Sequence, residues 1–138
     1  FEDLVFFMSH LAPPNREAQA TDEAASALFQ QAQCDTCHTP EHTTEDGTVV
    51  RAYTNLLLHR VGPPGAVGIE EGNAEVGYYR TAPLWGISET APYLHNGTAE
   101  TIEEAIAAHE QEAENSRQAF EALSAEERMT LLDWLGSL

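Results

Sequence analysis

Between residues 39 and 99 the chain is rich in Gly, Pro, Thr and Asn and shows almost no helical periodicity. A segment of this length without secondary structure is uncommon inside a compact domain. We therefore expect it to wrap around a large bound group, which supplies the part of the core that the segment lacks.

Helical signals flank this segment on both sides. Residues 1–11 place apolar side chains at helical spacing until prolines follow at positions 13 and 14. Residues 21–33 predict a second helix, capped by Thr21 or Asp22. After the long segment, Thr101 and Glu104 match a capping box that opens a helix running to about residue 112.

The terminal helix begins at a second capping box, at residues 124–127. Its apolar stripe is predicted to consist of Met129, Leu132 and Leu135, with Leu131 and Leu138 nearby. Met8, on the first helix, is likewise expected to pack in the core. Together these patterns predict a single, mostly α domain over residues 1–138 with few or no strands.

The chain carries 23 acidic and 6 basic residues, for a net charge of −17. This charge argues against binding to nucleic acid and permits protein partners with a basic contact surface. The sequence contains no run of about 18 or more apolar residues, as a membrane span would need. Because the chain begins at Phe1 rather than at Met, we expect a processed mature protein or a fragment of a longer one.

The motif Cys34-Asp-Thr-Cys37-His38 is typical of covalent haem c attachment. The two thiols add to the haem vinyl groups as thioethers, and the adjacent histidine supplies the proximal imidazole. Cys34 and Cys37 are the only cysteines, so the sequence predicts one haem c and no disulfide. Because this attachment is completed outside the cytoplasm, we expect a periplasmic or otherwise exported protein.

Two alternatives compete with haem at this motif. A redox-active disulfide between Cys34 and Cys37 would suit a thioredoxin-like protein, but the βαβ pattern is missing. Zinc could use these cysteines with His38 and His42, whose spacings match zinc sites. The adjacent Cys37 and His38 would then have to bind one ion without the usual intervening loop, which favours haem.

The sixth iron ligand is not determined by composition. The candidates are the tyrosines and the following residues: Met8, Met129, His10, His42, His59, His95 and His109.

The stretch from YYRTAPLWG to LLDWLGSL, residues 78–138, resembles the C-terminal haem domain of the bacterial di-haem oxidoreductase family, often labelled thiol oxidoreductase. That family is related to the di-haem cytochrome c peroxidases. AYTNLLLHRVGPPGAVGI, residues 52–69, and DLVFFMSHLAPP, residues 3–14, fit the same family in the same order. The resemblance implies a class I cytochrome c-like fold with a long loop around the haem.

The resemblance also implies roles for individual residues. In the related peroxidases an axial ligand follows fourteen residues after the histidine of an aromatic-His-x-Gly segment, and these positions here are His95 and His109. His109 is therefore expected to bind the iron opposite His38, from the helix that Thr101 opens. His95 is expected near the haem, where it hydrogen-bonds a propionate or a backbone carbonyl or only shapes its Asn-Gly turn.

Three further residues complete the expected haem site. Arg80 is a candidate partner for a haem propionate, because guanidinium pairs well with carboxylate. Trp85 and Tyr79 are expected to wall the haem. By contrast, His10 and His42 are expected at the surface.

The chain departs from the family at several motifs. LLLHRVG stands where the family usually has LLLHDMG, HNGT where it has HDGR, and HEQEA where it has HGGEA. The chain also carries one haem motif, whereas the full proteins carry two. The leading expectation is electron transfer by a bis-histidine cytochrome that is not an enzyme on its own, and the alternative is an electron-relay domain of a di-haem peroxidase-like or thiol-oxidising enzyme.

Overall fold

The computed structural model describes residues 1–16, 19–62, 68–72 and 74–138. Residues 63–67 of the family-like stretch 52–69 lie outside this part. Five α-helices occur in the described residues: α1 Glu2–Ser9, α2 Asp22–Gln31, α3 Ile102–Ala107, α4 Glu114–Glu121 and α5 Ala125–Leu135. The mostly α prediction is therefore confirmed at the level of secondary structure.

The segment from 39 to 99 contains short regular elements that its composition did not reveal. Strands β1, His42–Thr43, and β2, Val49–Val50, pair antiparallel, as do β3, Leu58–Arg60, and β4, Tyr78–Arg80. A single 3₁₀ turn at Ile87–Glu89 follows the second sheet. Strands of two or three residues are too short to produce a readable alternation of apolar and polar side chains.

Both predicted capping boxes are present. The Thr101 hydroxyl accepts from the Glu104 backbone at 3.1 Å, and the Glu104 carboxylate accepts from the Thr101 backbone at 3.1 Å. Ser124 and Glu127 make the same reciprocal pair at the start of α5. Thr21 occupies the N-cap position of α2 but makes no side-chain capping hydrogen bond there.

The core lies where α2 packs against α5. Phe29 of α2, Tyr53 and Trp134 of α5 form three edge-to-face ring pairs with centroids 5.4 to 6.0 Å apart. The buried stripe of α5 and the chain end consists of Leu131, Trp134, Leu135 and Leu138. This packing anchors α2, which leads directly into the Cys-x-x-Cys-His motif.

The prediction that both methionines pack in the core is wrong. Met129 is 63% exposed and Met8 is 60% exposed. On α5 the buried face is rotated toward Leu131 and Trp134, because the ring of Trp134 fills the contact with Phe29. On α1 no side chain is buried.

Leu131 offers a direct test of this core. Its side chain is 0% exposed, so Leu131→Ala removes buried methyl groups and leaves a cavity. We expect the free energy of unfolding to fall by about 2–5 kcal/mol, measured by denaturant titration of the haem-loaded protein. Met129→Ala on the same helix is the control and should change it by less than about 0.5 kcal/mol. Equal losses in the two variants would contradict this assignment of the buried face.

None of the helices in the described residues is both long enough and apolar enough to cross a bilayer.

Candidate functional site

A largely apolar cavity of about 600 Å³ lies between the Cys-x-x-Cys-His turn, strand β4 and the end of α3. Cofactor and ligand pockets typically enclose roughly 300–1,000 Å³. Seven of the eight residues predicted for the haem site line this cavity: Cys34, Cys37, His38, Tyr79, Arg80, His95 and His109.

The turn that carries the two thiols is set by the end of α2. Gln33 adopts a left-handed conformation, with φ of 58°, and leads into a 3₁₀ turn at Cys34–Thr36. The His38 backbone then donates to the Cys34 carbonyl at 2.9 Å. Burial raises the pKa of Cys34 to about 12, and burial also raises the pKa of Cys37. Both cysteines are free, so two protonated thiols face the same cavity.

The His38 imidazole is held in one tautomer. Its Nδ1 donates to the Tyr53 carbonyl at 3.0 Å, which leaves the lone pair on Nε2. Burial lowers the pKa of His38 to about 4, so the ring is neutral at neutral pH. A neutral imidazole with an oriented Nδ1–H is the usual form of a histidine that binds a metal.

The His109 imidazole, which also lines the cavity, has the same arrangement. Its Nδ1 donates to the Ala105 carbonyl at 2.7 Å, so the lone pair again lies on Nε2. The expected position of His109 within a helix is wrong, since α3 ends at Ala107. The backbone is pulled away there, because Glu110 donates to the Val61 carbonyl at 3.1 Å instead of continuing the helix.

His59 also lines the cavity, but both of its ring nitrogens are engaged. Nδ1 lies 3.0 Å from a Glu112 carboxylate oxygen, and Nε2 lies 3.0 Å from the Asn55 side-chain nitrogen. The carboxylate accepts from Nδ1, so Nε2 accepts from the amide of Asn55. With both nitrogens occupied, His59 is a weaker ligand candidate than His109.

Two residues predicted to lie near the haem, His95 and Tyr79, contact each other. Their rings stack with centroids 4.1 Å apart, and the two residues share a hydrogen bond of 3.2 Å. His95 is exposed, and Gly97 forms the turn beside it with φ of +67°. Arg80 lines the cavity and forms no ion pair with any described residue.

Other predicted candidates do not line the cavity. Trp85 is half-buried and absent from the lining, so the lining gives no support to its expected contact with haem. Neither methionine reaches the cavity. His10 and His42 are exposed, as expected, and the Nε2 of His42 lies 2.7 Å from the Thr54 carbonyl.

The zinc alternative has no geometric support. Within residues 1–16, 19–62, 68–72 and 74–138, no group of three or more His, Cys, Asp and Glu side chains is placed to hold a metal ion. The oriented imidazoles, the two free thiols and the apolar cavity are the donor set that covalent haem requires, so these residues fit a haem.

Sequence reasoning missed three residues that support this site: Asn55, Glu112 and Arg117. Arg117 donates from Nε to the His109 carbonyl at 3.0 Å and pairs with Glu121 at 2.7 Å. For Arg117 the available signal was the scarcity of basic residues. With only six in the chain, each one is a candidate for a specific structural contact. Asn55 and Glu112 carry no comparable signal, since their contacts depend on the tertiary structure.

A haem-attachment motif facing an apolar cavity with oriented histidines defines a haem-binding redox protein. The chain belongs to the family described as di-haem oxidoreductase, putative peroxidase, which it matches over residues 1–138. This confirms the family expected from the motifs and, through it, a haem-binding redox role.

Two relatives illustrate the match. The chain is 31% identical to cytochrome-c peroxidase IdrP2 of Pseudomonas sp. (strain SCT), in an alignment 138 residues long that covers 81% of this chain and 38% of that protein. The fold of this chain is similar to that in the crystal structure of a MauG-like protein associated with microbial copper homeostasis, with a TM-score of 0.56 and 19% identity. That similarity covers 88% of this chain and 47% of the other. The chain thus spans less than half the length of either relative.

Proposed function

We propose that this chain is an electron-transfer domain that carries one haem c, attached through Cys34 and Cys37. His38 and His109 are the two axial ligands of its iron. The observation that carries this proposal is the matched state of the two imidazoles: each donates Nδ1–H to a backbone carbonyl and keeps its lone pair on Nε2 beside one apolar cavity.

The ligand set determines the kind of chemistry. When bound, haem iron exchanges one electron between the ferric and ferrous states. If His38 and His109 fill both axial positions, no open site remains for peroxide or oxygen. The protein's own contribution is to hold both rings in place in a site that is mostly apolar, so that a change in iron charge requires little rearrangement.

The polar lining residues have supporting roles. Arg80, whose guanidinium forms no ion pair with a described residue, pairs with a haem propionate. Tyr79 and His95, stacked on each other, cover one edge of the haem. This pair is a more favourable wall than Trp85, because both rings line the cavity.

The fold and location follow from the same proposal. The domain is cytochrome c-like, and its loop from 39 to 99 encloses the haem. In support, cavity-lining residues occur repeatedly along the described part of that loop, from His59 to Thr98. Haem c attachment requires export, so we infer a periplasmic or otherwise exported domain.

A second candidate function is an electron relay within a di-haem enzyme of the peroxidase-like or thiol-oxidising kind. The family and the 38% coverage of the peroxidase relative favour it. In that case this domain passes electrons to a second haem carried elsewhere. Counting haems per full-length encoded polypeptide, by iron content and intact mass, separates the candidates: one haem supports a carrier and two support the relay.

The absorption and electron paramagnetic resonance spectra of the haem-loaded domain test the proposal directly. Six-coordinate low-spin iron without the weak near-infrared sulfur-to-iron band is expected from two imidazole ligands. A five-coordinate high-spin spectrum would overturn bis-histidine ligation and favour a site that binds substrate at iron.

Haem attachment yields a separate prediction. Because Cys34 and Cys37 are the only thiols and both face the cavity, the haem should stay with the polypeptide after denaturation in acidified organic solvent. The mass of the denatured chain should exceed that of the polypeptide by one haem. Replacing both cysteines with serine should allow the haem to be extracted. Free extraction of haem from the unaltered protein would contradict thioether attachment.

A further inference from the structure

The backbone that follows His109 is hydrogen-bonded to the residues directly after strand β3, which carries His59. Glu110 donates its backbone N–H to the Val61 carbonyl at 3.1 Å. The side-chain amide of Gln111 donates to the Gly62 carbonyl. These two contacts hold residues 110–111 against residues 61–62.

The Glu112 carboxylate adds a charge-assisted contact between the same two parts of the chain. One oxygen accepts from the Arg60 backbone at 3.1 Å, and the other accepts from His59 Nδ1 at 3.0 Å. Hydrogen bonds from His59 and from the Arg60 backbone lower the pKa of Glu112, so the carboxylate is ionised at neutral pH. Such hydrogen bonds are about twice as strong as neutral ones.

The same contacts extend back to the haem-attachment turn. His59 Nε2 accepts from the Asn55 side chain at 3.0 Å, and the Asn55 backbone donates to the Cys37 carbonyl at 2.9 Å. A continuous chain of hydrogen bonds therefore runs from Cys37 through Asn55 and His59 to Glu112. It connects the haem-attachment turn with the segment that directly follows His109.

We propose that His59 and Glu112 are positioning residues, which hold the segment carrying His109 against the cavity and so keep its imidazole available as the distal ligand. This inference rests on the proposed ligation by His109. Such a brace is useful because α3 ends at Ala107 and no helix extends through His109. Arg117, which donates to the His109 carbonyl, supports the segment from α4.

Competition with an added ligand measures this positioning. Cyanide titrated into the ferric haem-loaded protein must displace His109, so a looser segment gives tighter and faster cyanide binding. Substitution of a residue that orients a metal ligand typically lowers metal affinity or activity by about 10- to 100-fold. Glu112 has 47% side-chain exposure, so we expect the lower end, about a tenfold gain in apparent cyanide affinity for Glu112→Ala.

Four variants and one control make the test specific. Glu112→Ala removes both contacts, whereas Glu112→Gln and His59→Gln preserve size and a hydrogen-bonding group and should have smaller effects. The double variant His59→Gln/Glu112→Ala should match Glu112→Ala alone, because the two residues act as one unit. Glu103→Ala, on α3, removes the same charge from an exposed side chain that hydrogen-bonds to no described residue and should bind cyanide like the unaltered protein.

The second readout is hydrogen exchange at the amides of residues 110–112, which should accelerate in Glu112→Ala while the amides of α5 stay protected. If Glu112→Ala does not fold, the two glutamine variants provide the same comparison. Cyanide binding and exchange rates equal to those of Glu103→Ala would overturn the positioning role.

His109→Ala in the same series distinguishes the positioning role of Glu112 from the proposed ligation by His109. If His109→Ala opens the iron to cyanide and Glu112→Ala does not, only the positioning role falls. If His109→Ala leaves both spectrum and cyanide binding unchanged, the proposed ligation fails and the positioning role fails with it.

Discussion

His109→Ala is expected to convert the six-coordinate low-spin haem protein into one whose ferric iron binds cyanide or peroxide. The alanine cannot coordinate iron, and the two other candidate histidines of the cavity lining, His59 and His95, already have partners. His59 has partners at both ring nitrogens, and the exposed His95 stacks on Tyr79. We therefore expect a high-spin absorption spectrum, cyanide binding at micromolar to millimolar concentration, and weak peroxidase turnover with an artificial electron donor.

Two variants of the same cavity provide matched controls. His95→Ala and His59→Ala each remove an imidazole from the lining and leave the two proposed iron ligands, His38 and His109, in place. Both should keep the resting low-spin spectrum, although His59→Ala should bind added cyanide more readily because it weakens the hold on residues 110–112. A low-spin His109→Ala together with a high-spin His59→Ala or a high-spin Met8 variant would show that the distal ligand was assigned to the wrong residue.

His109→Met extends the test to the reduction potential. Imidazole stabilises ferric iron better than thioether sulfur does, and Met/His ligation raises the potential of a cytochrome. The unaltered protein should therefore lie below the methionine variant in potential, measured by spectroelectrochemical titration. Appearance of the near-infrared sulfur-to-iron band in the variant, and its absence before substitution, would identify position 109 as the site of exchange.

The helix starts and the haem motif were readable from sequence because their signals are local. Each capping box uses residues three apart, and both appear in the structure as predicted. The Cys-x-x-Cys-His motif likewise needs only five consecutive residues. The prediction of a helix to residue 112 failed because the helix is ended by a partner distant in the chain, the Val61 carbonyl.

The supporting residues of the site could not be predicted from the sequence, because their contacts also join positions that are distant in the chain. His59 and Glu112 are separated by 53 positions, and the Asn55 contact to Cys37 joins two loops. No local periodicity encodes such pairs. The buried face of α5 was predicted wrongly for a different reason. Met129 and Leu131 are both apolar, and the packing of α5 against α2, which includes the contact of Trp134 with Phe29, buries Leu131 and leaves Met129 exposed.

The net charge of −17 predicts a second large effect, on the rate of electron transfer to partner proteins. A basic carrier is attracted to an acidic protein, and such steering can raise association rates by about 10- to 1,000-fold at low ionic strength. Exposed charges are screened over about 8 Å at physiological ionic strength, so the gain should shrink steeply as salt is added. An acidic carrier should instead react slowly at low salt and faster at high salt.

We expect this steering to act at the exposed rim of the cavity. Thr90, Pro92 and His95 line the cavity and are exposed, and the exposed Glu89 directly precedes them in the chain. Glu89→Gln should therefore lower the second-order rate with a basic carrier at low salt, measured by stopped-flow reduction. Glu45→Gln, an identical charge change in the exposed turn between β1 and β2, is the control and should have a smaller effect.

Equal rates for basic and acidic carriers across the salt series would contradict steering altogether. Equal effects of the two glutamine variants would leave steering to the net charge and remove the cavity rim as the contact surface.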